Sequence, residues 1–131
     1  MEELFGEFEF NEAPEQLLSA VNGLPLPEDY LAFMQVHNGG EGPIGKNAYG
    51  RFYKLEELQE INDEYHAAGL WPGYVILGGI DGQHWAYCPA KRIYCQIDPY
   101  GTGEEETFYT ISDSLEAFLI RMDQELEESP V

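Results

Sequence analysis

The chain predicts an α+β fold, and three observations carry that reading. Stretches with apolar residues at helical spacing stand beside stretches with the two-residue period or the continuous apolar run of a strand. Two of the strand stretches, Trp85-Ala86-Tyr87-Cys88 and Ile93-Tyr94-Cys95-Gln96-Ile97, are joined only by Pro89 to Arg92 and read as an antiparallel hairpin. No repeat, low-complexity segment or long linker divides the 131 residues, so residues 1–131 are expected to form one domain with its own core.

Taken in order, Phe5-Gly6-Glu7-Phe8-Glu9-Phe10 alternates like a half-buried strand. Pro14 opens a short helix with Leu17, Leu18 and Val21 inward, and Asn22-Gly23 ends it. Leu24-Pro25-Leu26 is an extended link into a central helix, begun by Pro27 with Glu28 and Asp29 at the positive end of its dipole. Tyr30, Phe33, Met34 and His37 form one stripe of this helix, and Asn38-Gly39-Gly40 stops it. Glu41 to Tyr49, rich in Gly, Pro and Asn, reads as a surface loop. Phe52-Tyr53 begins a short strand or turn. Leu55 to Ala68 is a helix with Leu58, Ile61 or Asn62, and Tyr65 inward and acidic residues outward, stopped by Gly69. Trp71-Pro72-Gly73 turns the chain into Tyr74-Val75-Ile76-Leu77, a strand covered on both faces. Gly78 to Gly82 reads as a tight turn before the hairpin, and Asp98 to Gly101 as another after it. Thr107 to Ile111 is an edge strand. Asp113 and Glu116 resemble a capping box, opening a last helix striped by Leu115, Phe118, Leu119, Met122 and Leu126.

Charge bounds function most sharply. Twenty-five Asp and Glu against six Lys and Arg give a formal net charge of −19, which leaves no basic surface for nucleic-acid phosphates. Such a field repels anionic lipid and attracts basic proteins, while also serving plain solubility. No apolar run is long enough to span a bilayer, and Met1-Glu2-Glu3-Leu4 lacks the features of a signal peptide, so the expected compartment is the cytoplasm. Cys88 and Cys95 flank the hairpin link. A bridge across it is conceivable, but two buried thiols are the plainer reading.

No constellation for chemistry stands out. His37, His66 and His84 have no metal-ligand spacing, there is no calcium loop, and His37 on the inward stripe is more simply a hydrogen-bonded core residue. There is no nucleophile elbow, and Cys88 with His84 would stand roughly 13 Å apart along a strand. Gly78-x-x-x-Gly82 lacks the Lys-Ser/Thr of a phosphate loop. Lys46, Arg51 and Lys54 make a local basic spot, read first as pairing with nearby carboxylates and otherwise as a docking point. Trp71, Trp85, Tyr87, Tyr94 and Tyr100 are large amphipathic rings suited either to core or to an interface.

Three blocks in order carry a family resemblance. Leu26-Pro27-x-x-Tyr30-x-x-Phe33-Met34 with His37-Asn38-Gly39-Gly40 resembles the signature of the SUKH superfamily, which includes the Smi/Knr-type proteins. Phe52 to Asn62 is similar to that family's aromatic-x-Leu-x-Glu-Ile segment, and Val75 to Gly82 to its apolar strand ending in a glycine-rich turn. Gln83-His84 departs from the usual further glycine there. The resemblance implies a mainly antiparallel sheet with flanking helices in a single domain. It also makes Pro27, Tyr30, Phe33, Asn38, Gly39, Gly40, Gly78, Asp81 and Gly82 structural motif residues. By the same resemblance the expected activity is binding rather than catalysis; that no cofactor and no metal are expected follows from the missing motifs above. Bacterial members act as immunity proteins that bind a cognate toxin, often a nuclease, and yeast relatives are implicated in regulating cell-wall synthesis as scaffolds. A protein partner, basic if it is a nuclease, is therefore expected, with contacts at Glu41, Asp81, Tyr100, Glu104, Glu105 and Glu106. A regulatory or scaffold domain with a housekeeping partner is the alternative.

Overall fold

A computed structural model describes residues 2–13, 24–80, 83–97 and 108–128. Among these, seven strands form one antiparallel sheet whose spatial order is the order of the chain. They are β1 (Glu9–Phe10), β2 (Gly40–Ile44), β3 (Ala48–Phe52), β4 (Val75–Ile80), β5 (Gln83–Cys88), β6 (Ile93–Ile97) and β7 (Phe108–Ser112). Three α-helices accompany them: α1 (Glu28–Val36), α2 (Leu55–Ala67) and α3 (Leu115–Glu128). This is the α+β, antiparallel architecture that the sequence predicts.

The inner face of the sheet carries the main core. Phe52, Val75, Leu77, Trp85, Tyr87 and Tyr94 meet Tyr30, Phe33 and Met34 of α1 and Leu115, Phe118, Leu119 and Met122 of α3. The helical stripes read from the sequence are thus the buried faces, although the side chain of Leu126 lies outside the described residues. Gly78 explains how two large buried rings join. It sits opposite Phe52 on one side and Trp85 on the other, and those rings meet across it at 5.0 Å. A Cβ there would fall 1.9 Å from the Arg51 carbonyl oxygen, so only glycine fits.

Helix α2 lies alongside β4, where β3 has ended. Leu55 and Leu58 join the main core, while Tyr65 packs with Tyr53, Trp71 and Tyr74 against a second cluster of Ile76, Ala86, Cys95 and Ile97. Of the two inward candidates, Asn62 is the fully buried one. Asn38 caps this helix from a distance, its Oδ1 accepting from the Leu55 N–H at 2.8 Å and its Nδ2 donating to the Glu56 carboxylate at 2.9 Å.

Several expectations are corrected. Residues 41–49 are a β-hairpin, not a loop: burial alternates along β2 and β3, and of the glycines that suggested a loop Gly42 is an inner-face position and Gly45 lies in the turn. Gly40, expected to stop α1, is another inner-face position, with φ +153° and a Cβ site only 2.3 Å from the Glu9 carbonyl oxygen. Phe52 consequently ends a strand rather than beginning one. Phe5 to Phe10 is not a continuous strand. Glu2–Phe5 is a 3-10 turn, and Phe5 and Phe8 are both buried, stacking edge-on at 5.1 Å. Gly78, Gly79 and Ile80 continue β4 past an irregularity between Ile76 and Gly78, so the turn begins later than expected. The last helix is capped by Ser114, whose Oγ accepts from Ala117 N–H at 3.2 Å, and not by Asp113. At the end of α1 the left-handed residue is Gly39, φ +78°, while Asn38 serves the next helix. The helix expected after Pro14 lies outside the described residues, as does Asp98 to Gly101.

Two carboxylates staple distant elements. Asp29 accepts from the Tyr94 hydroxyl at 2.6 Å and from the Leu115 N–H at 2.8 Å, tying α1 to β6 and to the start of α3. Asp123 of α3 accepts from the N–H groups of Lys46, Asn47 and Ala48 at 3.0, 2.6 and 3.2 Å, which fixes the tip of the β2–β3 hairpin.

Candidate partner-binding face

The outer face of the sheet differs between its two halves. Register places Glu9, Glu41, Arg51, Gly79, His84 and Ile97 directly opposite one another across six strands, so all project to that face. Toward β6 the row runs into the second cluster under Tyr65 and Trp71. Toward β1 it emerges: Glu9, Glu41, Tyr49 and Arg51 are exposed, Tyr49 at 57%. Tyrosine and arginine on an open strand pair are the residue types that anchor interfaces.

Charges organise this open half. The Arg51 guanidinium lies over the Tyr53 ring, 5.2 Å from its centroid, and 3.9 Å from the Glu57 carboxylate. Of the local basic spot, Arg51 therefore does pair with a carboxylate, at an exposed site where the bond contributes little. Glu9 and Glu41 face each other across β1 and β2, a like-charge pair that disfavours the strand contact. A polar groove of about 360 Å³ runs between Glu9, Glu41, Arg51, Lys54 and Glu57. Its rim holds acceptors for basic side chains.

At the other end, three half-buried rings touch. Tyr65 and Trp71 have centroids 5.2 Å apart, and His84 sits 5.3 Å from the first and 5.0 Å from the second. Burial lowers the His84 pKa, so its imidazole is neutral at pH 7. Burial also raises that of Tyr65, helped by Tyr53 and Glu64, so its phenol keeps its proton.

Of the contact residues the sequence suggested, Glu41 stands on this face. Asp81, Tyr100, Glu104, Glu105 and Glu106 lie outside the described residues, as does Gly82. The motif residues Pro27, Tyr30, Phe33, Asn38, Gly39, Gly40 and Gly78 fall in the α1 junction and the inner face, where they shape the fold. Trp85, Tyr87 and Tyr94 are core. His37, expected as a hydrogen-bonded core residue, is instead half-buried just past α1 and stacks on Phe10 at 3.7 Å. Among the described residues, no group of three or more His, Cys, Asp or Glu is placed to hold a metal ion. Cys88 and Cys95 are separate buried thiols, since Cys95 pairs with Ala86 and Cys88 with Ile93. Missed by sequence reasoning were Tyr49 and Tyr53, for which the only signal was a Tyr-x-Arg-x-Tyr alternation around Arg51.

A sheet in strict chain order, helices closing its inner face and α2 alongside β4, with half the outer face open, defines an antiparallel α+β domain that offers a surface. The chain belongs to the SMI1/KNR4 family (SUKH-1), whose model matches residues 9–121. Members of that family are commonly immunity proteins of polymorphic toxin systems, and the family is generally non-catalytic. No curated protein matches the chain. No helix among the described residues is long and apolar enough to cross a membrane.

Proposed function

We propose that this chain is an immunity protein: a single cytoplasmic domain spanning residues 1–131 that binds a cognate toxin and silences it by steric blockage, without making or breaking a bond. Family membership supports the class, and the open Tyr49–Arg51–Glu41 face supplies the surface. With a formal net charge of −19, the favoured toxin is one with a basic substrate groove, such as a nuclease. Opposite charge then speeds encounter more than it deepens affinity. The acidic positions Asp81 and Glu104 to Glu106, with Tyr100, are proposed as further contacts.

The test is a pull-down with the purified chain against products of neighbouring genes, followed by a toxicity assay with and without co-expression. Capture of a toxin domain and rescue of growth support the reading. No rescue of growth from any neighbouring product, with capture of a housekeeping regulator instead, overturns it in favour of a scaffold.

A further inference from the structure

The Tyr65–Trp71–His84 cluster is not explained by core packing alone. Trp85, the other tryptophan, is fully buried, whereas these three rings keep part of their surface in water. Trp71 holds φ +46°, a backbone setting that a bulky side chain rarely adopts. The turn around it is closed by Leu70 N–H to Tyr65 carbonyl at 2.9 Å and Tyr74 N–H to Trp71 carbonyl at 3.1 Å. Leu70, 40% exposed, precedes Trp71 in the same turn. The face of an aromatic ring is electron-rich and attracts a cation, and a phenol, an indole and a neutral imidazole all offer such faces. The surrounding field of a strongly acidic chain has the same preference.

Resting on the immunity reading, we propose that this ring cluster is the seat for an arginine side chain of the protein partner. The register extends the idea along the row. His84 on β5 and Glu41 on β2 are three strand spacings apart, roughly 14 Å. One extended segment with a cation at each end therefore reaches both, its middle residues uncharged where they cross Arg51 and its second cation meeting the Glu9–Glu41 pair, where it relieves the like-charge opposition.

The experiment uses the full chain and Nα-acetylarginine amide as probe, with the uncharged citrulline counterpart as comparison. The chain has two tryptophans, so two indole N–H resonances report, and that of buried Trp85 is an internal control. The Trp71 resonance should move saturably with the arginine probe while that of Trp85 stays still, and the citrulline probe should bind at least fivefold more weakly. His84→Lys, which places a fixed positive charge at the seat, should abolish the Trp71 response, read against that variant's own probe-free spectrum and with its melting temperature near that of the parent; Tyr65→Phe, which keeps the ring, should retain it. No saturable movement, an equal response to citrulline, or an undiminished response in His84→Lys would overturn the seat. Toxin capture with a silent Trp71 leaves the immunity reading standing and removes the seat. A responsive Trp71 in a chain that rescues no toxin does the reverse.

Discussion

The side-chain amide of Asn62 pairs with the backbone of Ile76 as a neighbouring strand would. Its Oδ1 accepts from the Ile76 N–H at 2.7 Å, and its Nδ2 donates to the Ile76 carbonyl at 3.0 Å and to that of Leu58 at 2.9 Å. The β3–β4 register pairs only Arg51 with Gly79 and Phe52 with Gly78, so this stretch of β4 has no strand on that side. One amide takes its place.

Replacing Asn62 by Ala leaves two buried backbone groups without partners and should cost about 3 kcal/mol. Asn62→Asp should be at least as harmful, because a carboxylate accepts from Ile76 N–H but donates to neither carbonyl. Urea unfolding of both variants checks this, with an unchanged m-value confirming that stability alone has moved.

Tyr30→Phe should go the other way. The Tyr30 hydroxyl is buried and finds no hydrogen-bond partner among the described residues, and burial drives its pKa far up. Removing an unsatisfied hydroxyl while keeping the ring should stabilise the fold by about 1 kcal/mol. The thermal midpoint should rise; a fall would show that the hydroxyl has a partner after all.

Gly78→Ala tests the close approach of β3 and β4. The added methyl meets a backbone oxygen, which has no rotamer by which to give way. A loss of about 3 kcal/mol is expected from overpacking. Near-UV circular dichroism should also change, since the Phe52–Trp85 contact lies over this residue.

Cys95 gives a pH-dependent prediction. Burial, with a smaller push from Cys88 and a small opposing pull from Lys91, raises its pKa to about 12. In the unfolded chain an ordinary thiol titrates near 8.5. Between those values the folded state holds a proton that the unfolded state has lost, so stability is unaffected below about pH 8 and falls as pH rises through that window. At pH 8 a thiol-specific reagent should label Cys95 only at the rate of global opening, measured by mass spectrometry of the quenched peptide.

The open face predicts binding effects without folding effects. Tyr49→Ala should weaken toxin binding about tenfold or more with the melting temperature unchanged, because this ring is mostly in solvent. Glu41→Lys should chiefly slow association, and the difference from the parent should shrink as salt rises. Surface plasmon resonance at two ionic strengths separates the two behaviours.

How much of this was legible depended on whether a signal is local. The α1 stripe at Tyr30, Phe33 and Met34, the α3 stripe from Leu115 to Met122 and the β5–β6 hairpin rest on local spacing, and they stand as read; His37 falls past the end of α1. Residues 41 to 49, and Gly40 before them, misled because glycine usually punctuates. Here glycine makes room: Gly40 lies between Phe10 and Phe52 of the adjacent strands, and only register reveals that. Gly78 misled for the same reason. Asn62 was legible as one of two inward candidates and Asn38 only as a helix stop, while their hydrogen-bond partners, 14 and 17 residues away, were not legible. The candidate face was half visible, since the acidity of Glu41 is local. Its alignment with Arg51 and His84 needs every strand pairing between them.

The Asp123 staple has a consequence for the order of events in synthesis. The tip of the β2–β3 hairpin is held by an acceptor made more than seventy residues later, as the Lys46 and Asp123 numbering shows. A nascent chain that already contains Tyr49 and Arg51 still lacks the group that sets their hairpin. If the proposed face is the binding face, competence to capture a partner therefore arrives late in translation, once α3 has docked, rather than growing strand by strand.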